Sequence, residues 1–175
     1  MMSAFEQIWA SWRREYIEQL VSDENRGAEV PEDECVLCGV LSLRHDDPDR
    51  LVHVGSSSAV VLNAYPYTNG HVMVLPFRHV ERMSDLEAAE RAELFELIDR
   101  SVAAIELAYS PDGVNFGANV GRGSGAGIPG HLHVHALPRW EGDTNFMTTI
   151  ASTRVIPESP DVTLERLRAA FDELA

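Results

Sequence analysis

Three histidines alternate with apolar residues in the second half of the chain, where segment 131–137 reads His-Leu-His-Val-His-Ala-Leu. Because successive side chains of a β-strand point to opposite faces, this pattern predicts a strand with three imidazoles on one face and apolar side chains on the other. Each imidazole carries a donor and an acceptor that need partners, so a row of three is a poor apolar filler. The row therefore predicts a functional site, for either metal ligation or phosphate chemistry.

Short strand patterns recur along the rest of the chain. They cover residues 51–54, 59–63 and 71–76, with turn residues at 65–70 between the last two. Residues 114–120 alternate in the manner of a half-buried strand. Strands joined by hairpins, together with long helices, predict an α+β fold with a mainly antiparallel sheet.

Helical periodicity predicts three helices around these strands. The pair Ser84 and Glu87 has the spacing of a capping box and predicts the start of a long helix that ends before Pro111. Apolar residues at helical spacing predict an N-terminal helix over residues 4–21 and a C-terminal helix over residues 161–174. At 175 residues, the chain suits one domain over 1–175, with a core of about 35–140.

The charge of the chain argues against nucleic acid as a partner. Lys and Arg total 14 against 28 Asp and Glu, which gives a formal net charge of −14, and a chain this acidic is a poor ligand for a phosphate backbone. The longest apolar runs are far too short to span a bilayer, and the N-terminus lacks a signal-peptide core. We therefore expect no membrane partner and a cytoplasmic location.

The two cysteines, Cys35 and Cys38, form a Cys-x-x-Cys pair. Two thiolates and two imidazoles make a closed tetrahedral zinc site of the structural kind. His79 and one of the three alternating histidines are the natural candidates to complete it. A redox pair is the competing interpretation, although no thioredoxin-like pattern surrounds these cysteines.

A glycine-rich segment, residues 121–127, directly precedes the histidines. Such loops let backbone N–H groups converge on phosphate oxygens. A plain flexible loop is the alternative, and the segment lacks the Gly-Lys-Ser/Thr of a Walker loop. Its position beside three imidazoles favours the phosphate cradle.

The histidine pattern, together with Asn63 and the Gly-His block at 70–76, resembles the signature of the histidine triad (HIT) family of nucleotide hydrolases and transferases. The resemblance covers about residues 35–139. Segments 8–13 and 138–146 are similar to the bacterial branch that contains diadenosine tetraphosphate phosphorylases. The resemblance implies a HIT-like fold, a homodimer and cleavage of dinucleoside polyphosphates through a nucleotidyl-histidine, by phosphorolysis or hydrolysis.

Site roles follow from the same resemblance. His133 is the implied nucleophile, His135 the implied phosphate contact and His71 a support for the triad. The implied ribose contact is Asn63, and Asn119 is at a position where relatives place a polar side chain near the phosphates. From the glycine-rich segment, the candidate phosphate-binding residues are Ser124, Gly125 and Gly127. The implied structural zinc ligands are Cys35, Cys38, His79 and His131. One departure concerns Gly127 and Ile128, because many relatives carry Gln or a hydroxyl residue there to assist the leaving group.

Three alternative functions stay open at this point. A nucleoside phosphoramidate hydrolase uses the same nucleotidyl-histidine chemistry. A zinc hydrolase would instead use the three histidines to hold a catalytic metal that activates water. A nucleotide-binding protein without turnover would need the histidines only as ligand contacts.

Overall fold

The computed structural model describes residues 31–43, 50–143 and 156–175. The helices and strands of these residues, in chain order, are α1 (Val36–Ser42), β1 (Leu51–Val54), β2 (Ser58–Leu62), β3 (Val72–Pro76), α2 (Ala88–Tyr109), β4 (Gly113–Ala118), β5 (Val134–Arg139) and α3 (Pro160–Glu173). Short 3₁₀ turns lie at Glu32–Glu34, Met83–Asp85 and Arg122–Ser124. The helix predicted over residues 4–21 lies outside the described residues. Of the described helices, none combines the length and the apolar composition that crossing a membrane requires.

The five strands form one sheet in the order β1-β2-β3-β5-β4, and each neighbouring pair is antiparallel. This architecture confirms the predicted α+β class with a mainly antiparallel sheet. The C-terminal helix also lies close to its predicted range, since Pro160 occupies its first turn and Ser159 caps it.

Both faces of the central strands β2 and β3 are covered. Successive residues of each strand point to opposite faces, so they pack against different helices. Helices α2 and α3 pack on one face, against Val60, Val72 and Val74 among others. Helix α1 covers part of the other face, against Val61 and Met73. Such two-sided burial explains why β2 and β3 are buried at every position.

The histidine segment is only partly a strand, which corrects the prediction of a strand over the whole of 131–137. β5 begins at Val134, because its pairings with β3 and β4 end there. Pro76 of β3 has no N–H to continue the ladder, and the N–H of Leu132 donates to the carbonyl of Val80 instead (2.6 Å). The predicted alternation nevertheless holds, since Leu132 and Val134 face the α2–α3 core.

The start of α2 differs from the prediction. Ser84 lies in a separate 3₁₀ turn, and Leu86 after it is extended. The helix begins at Ala88, with Glu87 as its N-cap and the backbone N–H of Glu87 donating to the carboxylate of Glu90 (2.8 Å). The capping box is therefore Glu87 with Glu90, three residues beyond the predicted one.

Strand β4 lies at an edge of the sheet and is more exposed than the sequence predicts. Its alternating pattern predicts a half-buried face, but Phe116 is 60% exposed. Val120, just beyond the strand, is 43% exposed. Val114 is partly buried against the α2–α3 core, whereas Phe116 extends past it. Within the described chain, β4 pairs with β5 alone.

Candidate active site and metal centre

A cleft of about 510 Å³ opens on the side of the sheet that α1 covers. One wall is apolar and comes from α1 and strands β2 and β3, with Val36, Leu37, Val40, Leu62 and Met73 among its residues. Two of the alternating histidines, His133 and His135, also line the cleft, and His135 pairs across the sheet with Met73. A largely apolar cleft with a few convergent polar groups is the usual form of a small-molecule site.

His133 has the hydrogen bonding that a nitrogen nucleophile needs. Its ring is 5% exposed, and its Nδ1 lies 2.7 Å from the backbone carbonyl oxygen of His131. Since a carbonyl only accepts, Nδ1 must carry the proton, and in the neutral ring the lone pair then lies on Nε2. No hydrogen bond from a described residue occupies Nε2, so this atom is available at the cleft.

A chain of hydrogen bonds sets the proton positions of the next two imidazoles. The backbone N–H of Tyr67 donates to Nδ1 of His71 (3.0 Å), so the proton of neutral His71 lies on Nε2. That Nε2 lies 2.9 Å from Nδ1 of His135 and donates to it. The proton of His135 is therefore on its own Nε2, and His135 offers a hydrogen-bond donor to the cleft.

Burial keeps His135 in this neutral form. Burial is the largest cause, and the nearby His133 a smaller one, of a pKa lowered to about 4. The groups that face its ring are His133, His71 and Tyr67.

The shifted pKa of His135 predicts an acid-dependent loss of stability. The pKa of an unfolded histidine is about 6.5. As the pH falls from about 6.5 to 4, the unfolded chain therefore binds a proton that His135 of the folded chain does not bind. His135 thus lowers the free energy of unfolding progressively in that window and has no such effect above it. We expect NMR titration of the His135 ring to give a midpoint below pH 5, and a midpoint near 6.5 would contradict the assignment.

The predicted nucleotide-binding residues lie mostly at the cleft. Asn63, Asn119, Gly125 and Gly127 line it. The φ of Gly125 is +86°, in the left-handed region that favours glycine. Ser124 does not line the cleft, because its exposed hydroxyl turns back to donate to the carbonyl of Gly121 (2.6 Å). The structure thus brings four of these five residues together.

Asn63 is fixed by the loop that follows it. Its Oδ1 accepts from the backbone N–H of Tyr65 (2.9 Å), and its Nδ2 lies 3.3 Å from each ring nitrogen of His71. The same loop ends at Gly70, whose φ is +74° and whose Cβ, were there one, would lie 2.6 Å from the ring of Tyr109. Only glycine fits there, which explains the Gly-His pair at this end of the site.

The four predicted metal ligands form a cluster beside the cleft. Their ligand atoms, from Cys35, Cys38, His79 and His131, all lie within 4.8 Å of one another. Nδ1 of His131 is 3.6 Å and 3.3 Å from the sulfurs of Cys35 and Cys38, and Nδ1 of His79 is 3.3 Å from the sulfur of Cys38. These separations match the edges of a zinc tetrahedron, which are about 3.3–3.8 Å for ligand distances of about 2.0–2.3 Å.

The surroundings of the cluster also suit a zinc ion. Nε2 of His131 lies 3.0 Å from the carbonyl oxygen of Pro76, to which it donates, so Nδ1 turns its lone pair toward the two sulfurs. The segment that carries His79 is held by Arg78, whose guanidinium donates twice to the carboxylate of Glu90 (2.8 and 2.7 Å). Two sulfurs and two imidazoles form a closed set with no open position.

Burial raises the pKa of the Cys38 thiol to about 12, and the neighbouring Cys35 adds to the shift. A bound cation has to displace the thiol protons, so its affinity rises with pH. This property is expected of a thiolate metal site and is unfavourable for a reactive redox pair, which needs a lowered thiol pKa.

Sequence reasoning missed the aromatic residues of the cleft. Tyr65 and Tyr67 were interpreted only as part of a turn, yet both line the cleft, and Tyr67 packs on the rings of His71 and His135. The signal that could have found them is two tyrosines on the turn that joins Asn63 to His71. The apolar wall from α1 could not be predicted either, because no local sequence pattern indicates that this helix and the histidines line the same cleft.

Comparison with known proteins identifies the family. The model of the HIT domain matches residues 44–142, which is more than half of the chain. The chain belongs to the HIT domain family. Among solved HIT structures, a hypothetical histidine triad nucleotide-binding protein from Sulfolobus tokodaii superposes with a TM-score of 0.66 at 27% identity, over 80% of this chain and 93% of that one. A Zn-bound histidine triad family protein from Mycobacterium smegmatis gives 0.66 at 25% identity, over 82% and 97%.

Other HIT relatives have named activities. The AP-4-A phosphorylase of Mycobacterium tuberculosis is 36% identical over 154 residues, which cover 87% of this chain and 77% of that protein. The asymmetrical bis(5'-nucleosyl)-tetraphosphatase of Schizosaccharomyces pombe is 37% identical over 86 residues, which cover 49% of this chain and 47% of that protein.

Proposed function

We propose that this HIT domain protein is an enzyme that cleaves dinucleoside polyphosphates through a nucleotidyl-histidine on His133. The observation that carries the proposal is the hydrogen bond from Nδ1 of His133 to the carbonyl of His131, because it leaves Nε2 as the nucleophilic atom at the cleft. The relatives named as an AP-4-A phosphorylase and a tetraphosphatase support the substrate class.

The reaction proceeds in two steps that share one intermediate. Nε2 of His133 attacks the α-phosphorus of the bound nucleotide, an N–P bond forms, and the bond from that phosphorus to the bridging oxygen breaks as the polyphosphate leaves with its electron pair. An oxygen of orthophosphate or water then attacks the same phosphorus and restores the free imidazole. With diadenosine tetraphosphate the products are ATP plus ADP for phosphate, or ATP plus AMP for water.

The remaining cleft residues stabilise charge and position the substrate. During transfer, negative charge spreads over the oxygens of the phosphoryl group. The Nε2–H of neutral His135 donates to one of these oxygens, and the backbone N–H groups near Gly125 and Gly127 approach others. Asn63 contacts the ribose and Asn119 lies beside the phosphates, while His71 acts as a positioning residue through its bond to His135.

Zinc has a structural role in this proposal. Cys35, Cys38, His79 and His131 hold the ion as a closed set, and the ion supplies stability to the segment that carries the histidines. A catalytic metal on the three alternating histidines fits the geometry poorly, because His131 faces the two cysteines whereas His133 and His135 face the cleft. This observation favours nucleotidyl transfer over metal-activated water.

We also propose a homodimer, formed at the edge of the sheet. Exposed edge strands are normally covered or blocked, because their unpaired backbone groups and apolar side chains favour association. The exposed Phe116 on β4 and Val120 just beyond it fit such an interface, which would extend the sheet through a second copy. Light scattering of the purified protein should give twice the chain mass of 19.4 kDa.

A single domain and a cytoplasmic location, where the two zinc-binding thiols stay reduced, complete the proposal.

Turnover of diadenosine tetraphosphate with and without orthophosphate tests the function. ADP together with ATP, formed only when phosphate is present, identifies a phosphorylase. AMP together with ATP identifies a hydrolase. Absence of any cleavage under both conditions, in protein that is folded and zinc-loaded, would contradict the proposed activity.

A further inference from the structure

Tyr65 is the most exposed aromatic residue among those that line the cleft. Its side chain is 85% exposed, yet it contributes to the cleft lining, so its ring lies at the cleft mouth rather than inside. A single exposed aromatic residue is ordinary on a protein surface. An aromatic ring at the mouth of a nucleotide cleft is different, because its π face is available to a nucleobase.

The backbone of Tyr65 is held in place although its ring is in solvent. Its N–H donates to Oδ1 of Asn63 (2.9 Å), and Pro66 after it restricts Tyr65 to extended conformations. Further along the same loop, the hydroxyl of Thr68 donates to the carbonyl of Pro138 (3.1 Å). Because the backbone is fixed, a ligand that packs against the ring has only the side-chain torsions of Tyr65 to order.

The proposed substrate has two nucleosides, and the cleft interior offers an apolar wall for one. That wall, from α1 and strand β2, lines the same cleft as His133. The second nucleoside is joined to the first only by the polyphosphate, so it needs a contact of its own elsewhere on the cleft lining. Among the described residues that line the cleft, Tyr65 is the tyrosine whose surface is mostly exposed and so available to a ligand.

We infer that Tyr65 stacks against the base of the second nucleoside and so determines specificity for dinucleoside over mononucleoside polyphosphates. The inference rests on the proposed function, which it deepens. Stacking on an aromatic face tolerates every base, since each base has a π face. The enzyme should therefore discriminate weakly between adenine and other bases at this second position.

The test compares two substrates that differ in the second nucleoside, diadenosine tetraphosphate and adenosine 5′-tetraphosphate. Tyr65→Ala should raise KM for the dinucleoside by about 5- to 20-fold, which is the lower part of the range measured for base–aromatic stacking. KM for the mononucleoside should stay within about twofold, because it has no second base to stack. Tyr65→Phe keeps the ring and should restore KM for the dinucleoside.

A matched control is Phe95→Ala, which removes an exposed aromatic ring (56% exposed) from α2, away from the cleft. This variant should leave KM unchanged for both substrates. An equal rise in KM for both substrates in Tyr65→Ala would overturn the inference, since the ring would then contact the reacting nucleoside or the shared phosphates. No rise for either substrate would overturn it as well.

Failure of the proposed function gives a different result. In that case the wild-type protein releases no product from either compound. Dissociation constants of the same two compounds, measured by calorimetry for wild type and Tyr65→Ala, then make the same comparison without turnover. Equal dissociation constants of the two proteins for diadenosine tetraphosphate would overturn the role of Tyr65 independently.

Discussion

The His133→Asn variant is expected to lose turnover of diadenosine tetraphosphate by about 10⁴-fold or more, because it removes the atom proposed to bond to phosphorus. Asn is the informative replacement, since its side-chain NH₂ can still donate to the carbonyl of His131 and so preserve the local fold. Wild-type protein incubated with labelled substrate should retain label on His133 after denaturation in alkali, and the variant should retain none.

His53→Asn provides a matched control. His53 is on β1, where its ring stacks on Phe171 with 5.2 Å between centroids, and it does not line the cleft. This variant loses an imidazole without touching the proposed nucleophile, and its turnover should remain within about threefold of wild type. Retention of turnover by a folded His133→Asn protein would rule out the nucleotidyl-histidine.

Cys35→Ala is expected to lower stability far more than it lowers the rate of the chemical step. Structural zinc supplies about 10–16 kcal/mol in zinc-finger peptides, and loss of even a third of this corresponds to a fall in Tm of about 6–20 °C for a chain of this size. Metal analysis should show one zinc per chain in wild type and much less in the variant. At temperatures where both are folded, turnover should fall by no more than about tenfold.

The control for this variant is Leu41→Ala on α1, the helix that directly follows Cys35. Leu41 is buried, so its truncation also lowers Tm, by the loss of packing alone. A chelator should lower the Tm of wild type and Leu41→Ala further, but should leave the Tm of Cys35→Ala unchanged. Complete loss of turnover in fully folded Cys35→Ala protein would show that the metal takes part in the chemistry.

Much of the fold follows from local patterns. The strands β1, β2 and β3 lie within a residue or so of their predicted ranges, because short apolar runs and the turn at 65–70 define them locally. The start of β5 could not be predicted in this way. The start of β5 depends on where its pairing with β3 ends. The missing N–H of Pro76 ends that pairing only because β3 and β5 are neighbours in the sheet, which the sequence does not show.

The candidate site shows the same division. Cys35, Cys38 and His79 could be named from residue types, because thiolates and imidazoles are the donors that zinc prefers. The choice of His131 among the three alternating histidines came only from the resemblance to the HIT family. Ser124 is a residue that its type alone assigned wrongly to the cleft. Its hydroxyl donates to the carbonyl of Gly121 within the same turn, so it does not line the cleft. The carbonyl of His131 that orients His133 has no sequence signal at all, because every residue has a carbonyl.

That last contact has a consequence for how the two sites can change. The ring of His131 contacts the candidate metal ligands and its peptide oxygen contacts the proposed nucleophile, so a single residue connects the two sites through the main chain. Any side chain that ligates the ion leaves this oxygen in place, provided the backbone keeps its path. Replacement of the His131 imidazole by a thiolate would convert the ligand set to three cysteines and one histidine, which is another common structural zinc set, while the tautomer of His133 stays the same. Ligand identity and nucleophile orientation can thus vary independently at one position of the chain.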